Sequence, residues 1–139
     1  MKRTASAIWN GSLKEGNGKI STQSEVLSNH PYSFKTRFED EKGTNPDELI
    51  AAAHAGCFAM ALSMILGKEG YTPDRLEAKA TITMDTENLE LTASHLVLNA
   101  QIPDISNEKF LECANMAKEN CPVSKVLNLK ITLEATLNK

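Results

Sequence analysis

The sequence is short of the residues that usually mark a metal or disulfide site. Its three cysteines and three histidines show no Cys-x-x-Cys or His-x-x-x-His spacing, so neither a metal nor another cofactor is expected. An odd number of cysteines with no close pair argues against a secreted disulfide framework and for a reducing compartment, by default the cytoplasm. Positive charge is scarce: 15 Lys and Arg against 18 Asp and Glu leave a net charge of −3. The basic residues are scattered rather than gathered into a stripe, which sets nucleic-acid partners aside. No basic start followed by an apolar cleavable segment is visible, so no signal peptide is expected. Repeats, low-complexity tracts and linkers are missing too. The 139 residues fit one domain, residues 1–139, that buries roughly two-thirds of its unfolded surface and would gain margin as a dimer.

What is present is one long apolar run, Thr44 to Gly67, that reads as a helix. Asn45 is placed to N-cap it, Pro46 suits the first helical position, Glu48 stands where a capping box wants a carboxylate, and Gly67 is placed to stop it. Between Leu49 and Leu66 only His54, Cys57 and Ser63 are polar, so burial on every face is expected. At about 100° per residue, Cys57 shares a face with Ile50, Ala53, Ala61 and Met64. The run reaches the lower edge of a membrane span, about 18 apolar residues. Its alanine richness, His54 and the acidic residues at its start favour a core helix instead.

Strands are expected over residues 3–10, 19–25 and 31–40, with turns at Asn10-Gly11 and Gly16-Asn17-Gly18. On the third, Tyr32, Phe34, Thr36 and Phe38 would face one way and Lys35 and Arg37 the other. After the long helix, residues 75–85 and 91–102 alternate as a strand pair joined by a hairpin. Ser106 can N-cap a second helix from Asn107 to about Glu119, with Phe110, Cys113, Ala114 and Ala117 on its apolar face. Residues 127–137 close the chain as a strand. The order predicts an α+β fold in which antiparallel sheets enclose a long buried central helix and a second helix.

Cys121 precedes Pro122, which disfavours helical geometry at the cysteine and breaks the second helix there. Residues 122–127 can then begin a short helical turn with the thiol beside its N-terminus, where peptide dipoles tend to lower a thiol pKa. A buried cysteine at a helix break is an equally good account. Cys113 belongs to the core. His54, three residues before Cys57, is in principle a base for that thiol, although a satisfied core histidine is the simpler account. Asp47 and Glu48 are explained by helix capping and dipole alone.

Three blocks together resemble the OsmC/Ohr family of organic hydroperoxide reductases, specifically its osmotically inducible protein C branch. They are Thr36-Arg37-Phe38-Glu39, then Glu41 to Pro46 continuing through Ala53-His54-Ala55-Gly56-Cys57-Phe58 to Ser63, and Cys121-Pro122-Val123-Ser124. The resemblance implies an intertwined homodimer with active sites at the subunit interface. It also implies that Cys57 is the peroxidatic cysteine, Cys121 the resolving cysteine and Arg37 the arginine that contacts the thiolate. The family's glutamate falls on Asp47, which reaches about 1.5 Å less; Glu48 is the other carboxylate at hand.

The expected activity is a thiol peroxidase of oxidative and osmotic stress defence that reduces organic hydroperoxides through a Cys57 sulfenic acid and a Cys57–Cys121 disulfide. A dithiol or lipoyl-type reductant would regenerate it. A redox-sensing or small-molecule-binding dimer on the same scaffold is the alternative, and a cysteine hydrolase using Cys57 with His54 ranks last.

Overall fold

In the computed structural model, which describes residues 1–138, the chain divides into two compact units, residues 1–49 and Ile50 onward. The first unit is a three-stranded antiparallel meander, β1 (Ala5–Asn10), β2 (Asn17–Thr22) and β3 (His30–Tyr32), followed by the short helix α1 (Phe34–Phe38). Trp9, Gly18 and Tyr32 face one another across the three strands. The two rings stand 5.5 Å apart between centroids. A Cβ on Gly18 would lie 2.5 Å from Tyr32 and 2.7 Å from Trp9, so only glycine lets the rings close over the middle strand.

Two sequence expectations fail in this unit. β2 stops at Thr22 because a turn closes immediately beyond it: Glu25 N–H donates to the Thr22 carbonyl at 2.9 Å, and Glu25 itself has φ 64°. The third strand stops at Tyr32, and Arg37 therefore lies on a helix. Ser33 caps that helix: its Oγ accepts from Thr36 N–H at 3.3 Å, while Thr36 Oγ1 accepts from Ser33 N–H at 2.9 Å. Phe34 and Phe38 then lie one helical turn apart with centroids 4.8 Å apart. Their alternation suited a strand equally well, but the reciprocal cap decides for helix.

α2 (Pro46–Lys68) begins at the expected place, with Asn45 Oδ1 accepting from Glu48 N–H at 2.8 Å. It runs past Gly67. Gly70, at φ 88°, ends it: Tyr71 N–H donates to the Leu66 carbonyl at 2.9 Å and Gly70 N–H to the Gly67 carbonyl at 3.1 Å. These two bonds satisfy carbonyls the last turn would orphan, and the left-handed residue they require is a glycine three positions later than expected.

The second unit carries β4 (Arg75–Asp85), β5 (Glu90–Gln101), α3 (Asn107–Asn120), α4 (Pro122–Val126) and β6 (Lys130–Asn138). β4 and β5 form the expected antiparallel hairpin, with a bulge at Thr83/Met84. β6 instead pairs parallel to β5, so this sheet is mixed rather than antiparallel. A parallel neighbour requires a crossover, and α3 with α4 supplies it. Along β5 the alternate residues Ser94, Leu96, Leu98 and Ala100 are fully buried. They meet Phe58, Leu62 and Leu66 of α2 and Phe110, Cys113, Ala114 and Ala117 of α3 in one core.

Burial of α2 on every face is not observed. By length and composition it could cross a bilayer, yet its buried residues are His54, Phe58, Leu62, Ile65 and Leu66, which follow one helical stripe. Met60 and Met64, on the other side, are 76% and 58% exposed. One mixed sheet and one neighbouring helix give the single chain enough surface to cover one stripe only.

Candidate active site

In the first unit the helix α1 and the first turn of α2 position one ion pair. Arg37 Nη2 donates to Asp47 Oδ1 at 3.1 Å and Arg37 Nε donates to Asp47 Oδ2 at 3.3 Å. The shorter carboxylate thus grips the guanidinium with both oxygens, the geometry in which arginine is held most firmly. Asp47, not Glu48, is the partner. Asn45 fixes the two elements, since its Oδ1 caps α2 while its Nδ2 donates to the Thr36 carbonyl at 3.0 Å. The guanidinium carbon also lies 5.5 Å from the centroid of Phe38. Beside the pair opens an apolar cavity of about 230 Å³ lined by Trp9, Leu13, Tyr32, Phe34, Arg37, Phe38 and Pro46.

In the second unit, Cys57 and Cys121 come together from positions 64 residues apart in sequence, close enough for the Cys121 side chain to hydrogen-bond Cys57 and raise its pKa. Cys57 is partly buried on α2. Burial pushes its thiol pKa up, the backbone N–H of Val123 pulls it down, and the neighbouring Cys121 raises it again; the net direction is up. A cavity of about 580 Å³ opens over it, lined by Met60, Ala61, Met64, Ile65, Asn120 and Pro122. It is almost wholly apolar in its side chains.

Cys121 ends α3 and starts α4, as its place before Pro122 implied. Its backbone N–H donates to the Ala117 carbonyl at 3.0 Å, and its sulfur accepts from Ser124 N–H at 3.3 Å as the cap of α4. The break and the cap arise from the same dipeptide: proline cannot continue α3 but fits the first turn of α4. Cys121 is fully buried. Cys113 sits in the core, its thiol pKa raised by burial, as expected of an inert cysteine.

His54 is fully buried with both ring nitrogens engaged: Nδ1 lies 2.6 Å from Ser94 Oγ and Nε2 2.8 Å from Ser124 Oγ. It is the satisfied core histidine, its pKa lowered by desolvation. With each nitrogen committed to a serine, none is free to act as base for Cys57, and the hydrolase alternative loses its second catalytic group. Among the described residues no cluster of three or more His, Cys, Asp and Glu side chains is arranged to hold a metal. Sequence reasoning missed Ser94, Ser124 and the Val123 amide. Only the position of Ser124, three residues after a capping cysteine, offered a signal.

Residues 39–136 match the family described as OsmC-like protein. The chain is 45% identical over 133 residues to the peroxiredoxin OsmC of Escherichia coli (strain K12), covering 94% of this chain and 93% of that one. To the organic hydroperoxide resistance protein OhrB of Bacillus subtilis (strain 168) it is 31% identical over 121 residues, covering 84% and 88%. The fold matches the crystal structure of an OsmC-like protein from Mycoplasma pneumoniae with a TM-score of 0.75 at 18% identity, covering 100% and 99% of the two chains. A long alanine-rich helix bearing a cysteine, a mixed α+β architecture and agreement over nearly the whole length lead to one conclusion: this chain belongs to the OsmC-like family.

Proposed function

We propose that the protein is a cytoplasmic thiol peroxidase that reduces organic hydroperoxides to alcohols, acting as a homodimer of single-domain subunits in oxidative and osmotic stress defence. The observation that carries this is the meeting of Cys57 and Cys121 under an apolar cavity. The names of the relatives, a peroxiredoxin and an organic hydroperoxide resistance protein, support it. The exposed Met60 and Met64 beside Cys57 are the surface a second copy would cover.

Arg37 and Asp47 are given their roles by resemblance to the family, as the cation for the thiolate and the tether of that cation. A thiol whose pKa is raised by burial is a poor nucleophile at neutral pH, and a permanently charged guanidinium is the remedy a protein can hold in place. Asp47 fixes the orientation of that cation through both of its oxygens. The Cys57 thiolate attacks one peroxide oxygen, the O–O bond breaks, and the departing alkoxide takes a proton to leave as an alcohol. Cys57 is then a sulfenic acid. The Cys121 thiol condenses with it, water leaves, and a disulfide forms. A dithiol or lipoyl-type reductant returns both thiols by exchange. The apolar lining of the cavity over Cys57 favours organic over hydrogen peroxide.

Cumene hydroperoxide and a dithiol, with hydrogen peroxide as the comparison, provide the test. Catalytic turnover is expected, faster with the organic substrate. A single stoichiometric oxidation without turnover would favour the redox-sensing alternative.

A further inference from the structure

Three polar residues beside Cys121 have no part in the chemistry above. Ser94, His54 and Ser124 form a continuous hydrogen-bonded row, 2.6 Å and 2.8 Å at its first two links, and the row ends on Cys121, whose Sγ lies 3.1 Å from Ser124 Oγ. Ser94, His54 and Cys121 are fully buried and Ser124 is 7% exposed. The members come from β5, α2, α4 and the junction of α3 with α4. Anchoring α2 to β5 and α4 accounts for the histidine and its two serines. It does not account for the last link, to a thiol.

We propose that His54, acting through Ser124, is the positioning residue of the resolving step: it holds the Ser124 hydroxyl against Cys121 so that this sulfur is aimed at the Cys57 sulfenic acid. This rests on the roles given above to the two cysteines. The row has a self-consistent order in which Ser94 O–H donates to His54 Nδ1, His54 Nε2–H to Ser124 Oγ, and Ser124 O–H to Cys121 Sγ, which leaves the Cys121 S–H free to be given up. As Cys121 Sγ attacks Cys57 Sγ, the S–S bond forms and the S–O bond breaks. The thiol proton joins the departing hydroxide as water. Ser124 N–H, at 3.3 Å, and the Ser124 hydroxyl both hold Cys121 Sγ and support the sulfur as its proton is given up. The imidazole keeps the same tautomer and stays neutral throughout, as suits a ring whose pKa burial has lowered. No outside oxidant or reductant is consumed in this step.

The test is a single-turnover reaction with one equivalent of cumene hydroperoxide. Cys57 sulfenic acid is trapped with dimedone, and the Cys57–Cys121 bond is followed by mass. Ser124→Ala and His54→Gln are expected to slow disulfide formation about tenfold more than they slow Cys57 oxidation, the size of one lost hydrogen bond. Ser124→Thr keeps the hydroxyl and should restore the rate to within about twofold of wild type. Disulfide formation in Ser124→Ala as fast as in wild type overturns the proposal. Equal slowing of both steps also overturns it, because a merely structural lesion would act in that way. The Ser124 pair decides the matter even where His54→Gln does not fold. Wild-type protein that consumes peroxide without joining Cys57 to Cys121 sinks the assigned cysteine roles, and this proposal with them.

Discussion

Cys57→Ser protein is expected to consume no organic hydroperoxide beyond the rate of the dithiol alone. The substitution exchanges one chalcogen for another at a partly buried helical position and leaves the packing of α2 through its own Phe58, Leu62 and Leu66 in place. A serine hydroxyl, unlike a thiol, does not ionise near neutral pH and cannot carry the sulfenic oxygen, so neither the attack nor the intermediate survives. An unchanged thermal midpoint would separate lost chemistry from lost fold. Residual turnover close to wild type would move the peroxidatic role to another thiol.

The second large effect is expected from Arg37→Gln. Burial raises the Cys57 pKa within its own unit, so without a cation the thiolate fraction at pH 7 is small. Removing a preorganised charge of this kind costs on the order of 10²–10³ in rate. The sign of the pH dependence follows. Since oxidation tracks the thiolate, the rate of the variant should climb as pH rises toward the elevated thiol pKa. Its deficit against wild type should shrink over the same range. Glutamine keeps a donor but no charge, and Asp47, which accepts from both Nε and Nη2, would be left with one partner in place of a fork. Peroxide consumption measured from pH 6 to pH 10 gives the answer; a deficit that is constant with pH would mean that Arg37 binds substrate rather than ionising Cys57.

The parts of the fold that were legible in the sequence are those written in local chemistry. Asn45-Pro46 and the alanine run located α2, Ser106 located α3, and Cys121-Pro122 located both the break and the cap. Where two local signals competed, the choice went wrong: Phe34, Thr36 and Phe38 alternate like a strand, but Ser33 and Thr36 cap each other. Gly67 was the nearer glycine, yet the left-handed turn belongs to Gly70.

Pairing at long range was not legible at all. Nothing in residues 130–138 states that β6 runs parallel to β5, because that depends on the crossover through α3 and α4. Ser94 and Ser124 lie 40 and 70 residues from His54, and no spacing rule connects them. The Arg37–Asp47 pair was suggested only by resemblance, with a carboxylate one methylene short. The short helix α1 and the Asn45 bridge between its Thr36 carbonyl and the cap of α2 account for its formation.

The central claim is that the sulfurs of Cys57 and Cys121 are a reacting pair. Peptide mass spectrometry of unreduced protein after one equivalent of organic hydroperoxide tests it most directly. A Cys57–Cys121 disulfide, with Cys113 still a free thiol, is the predicted result. Cys57 left oxidised beside a free Cys121 in the wild-type protein, or a bond that includes Cys113, would contradict it.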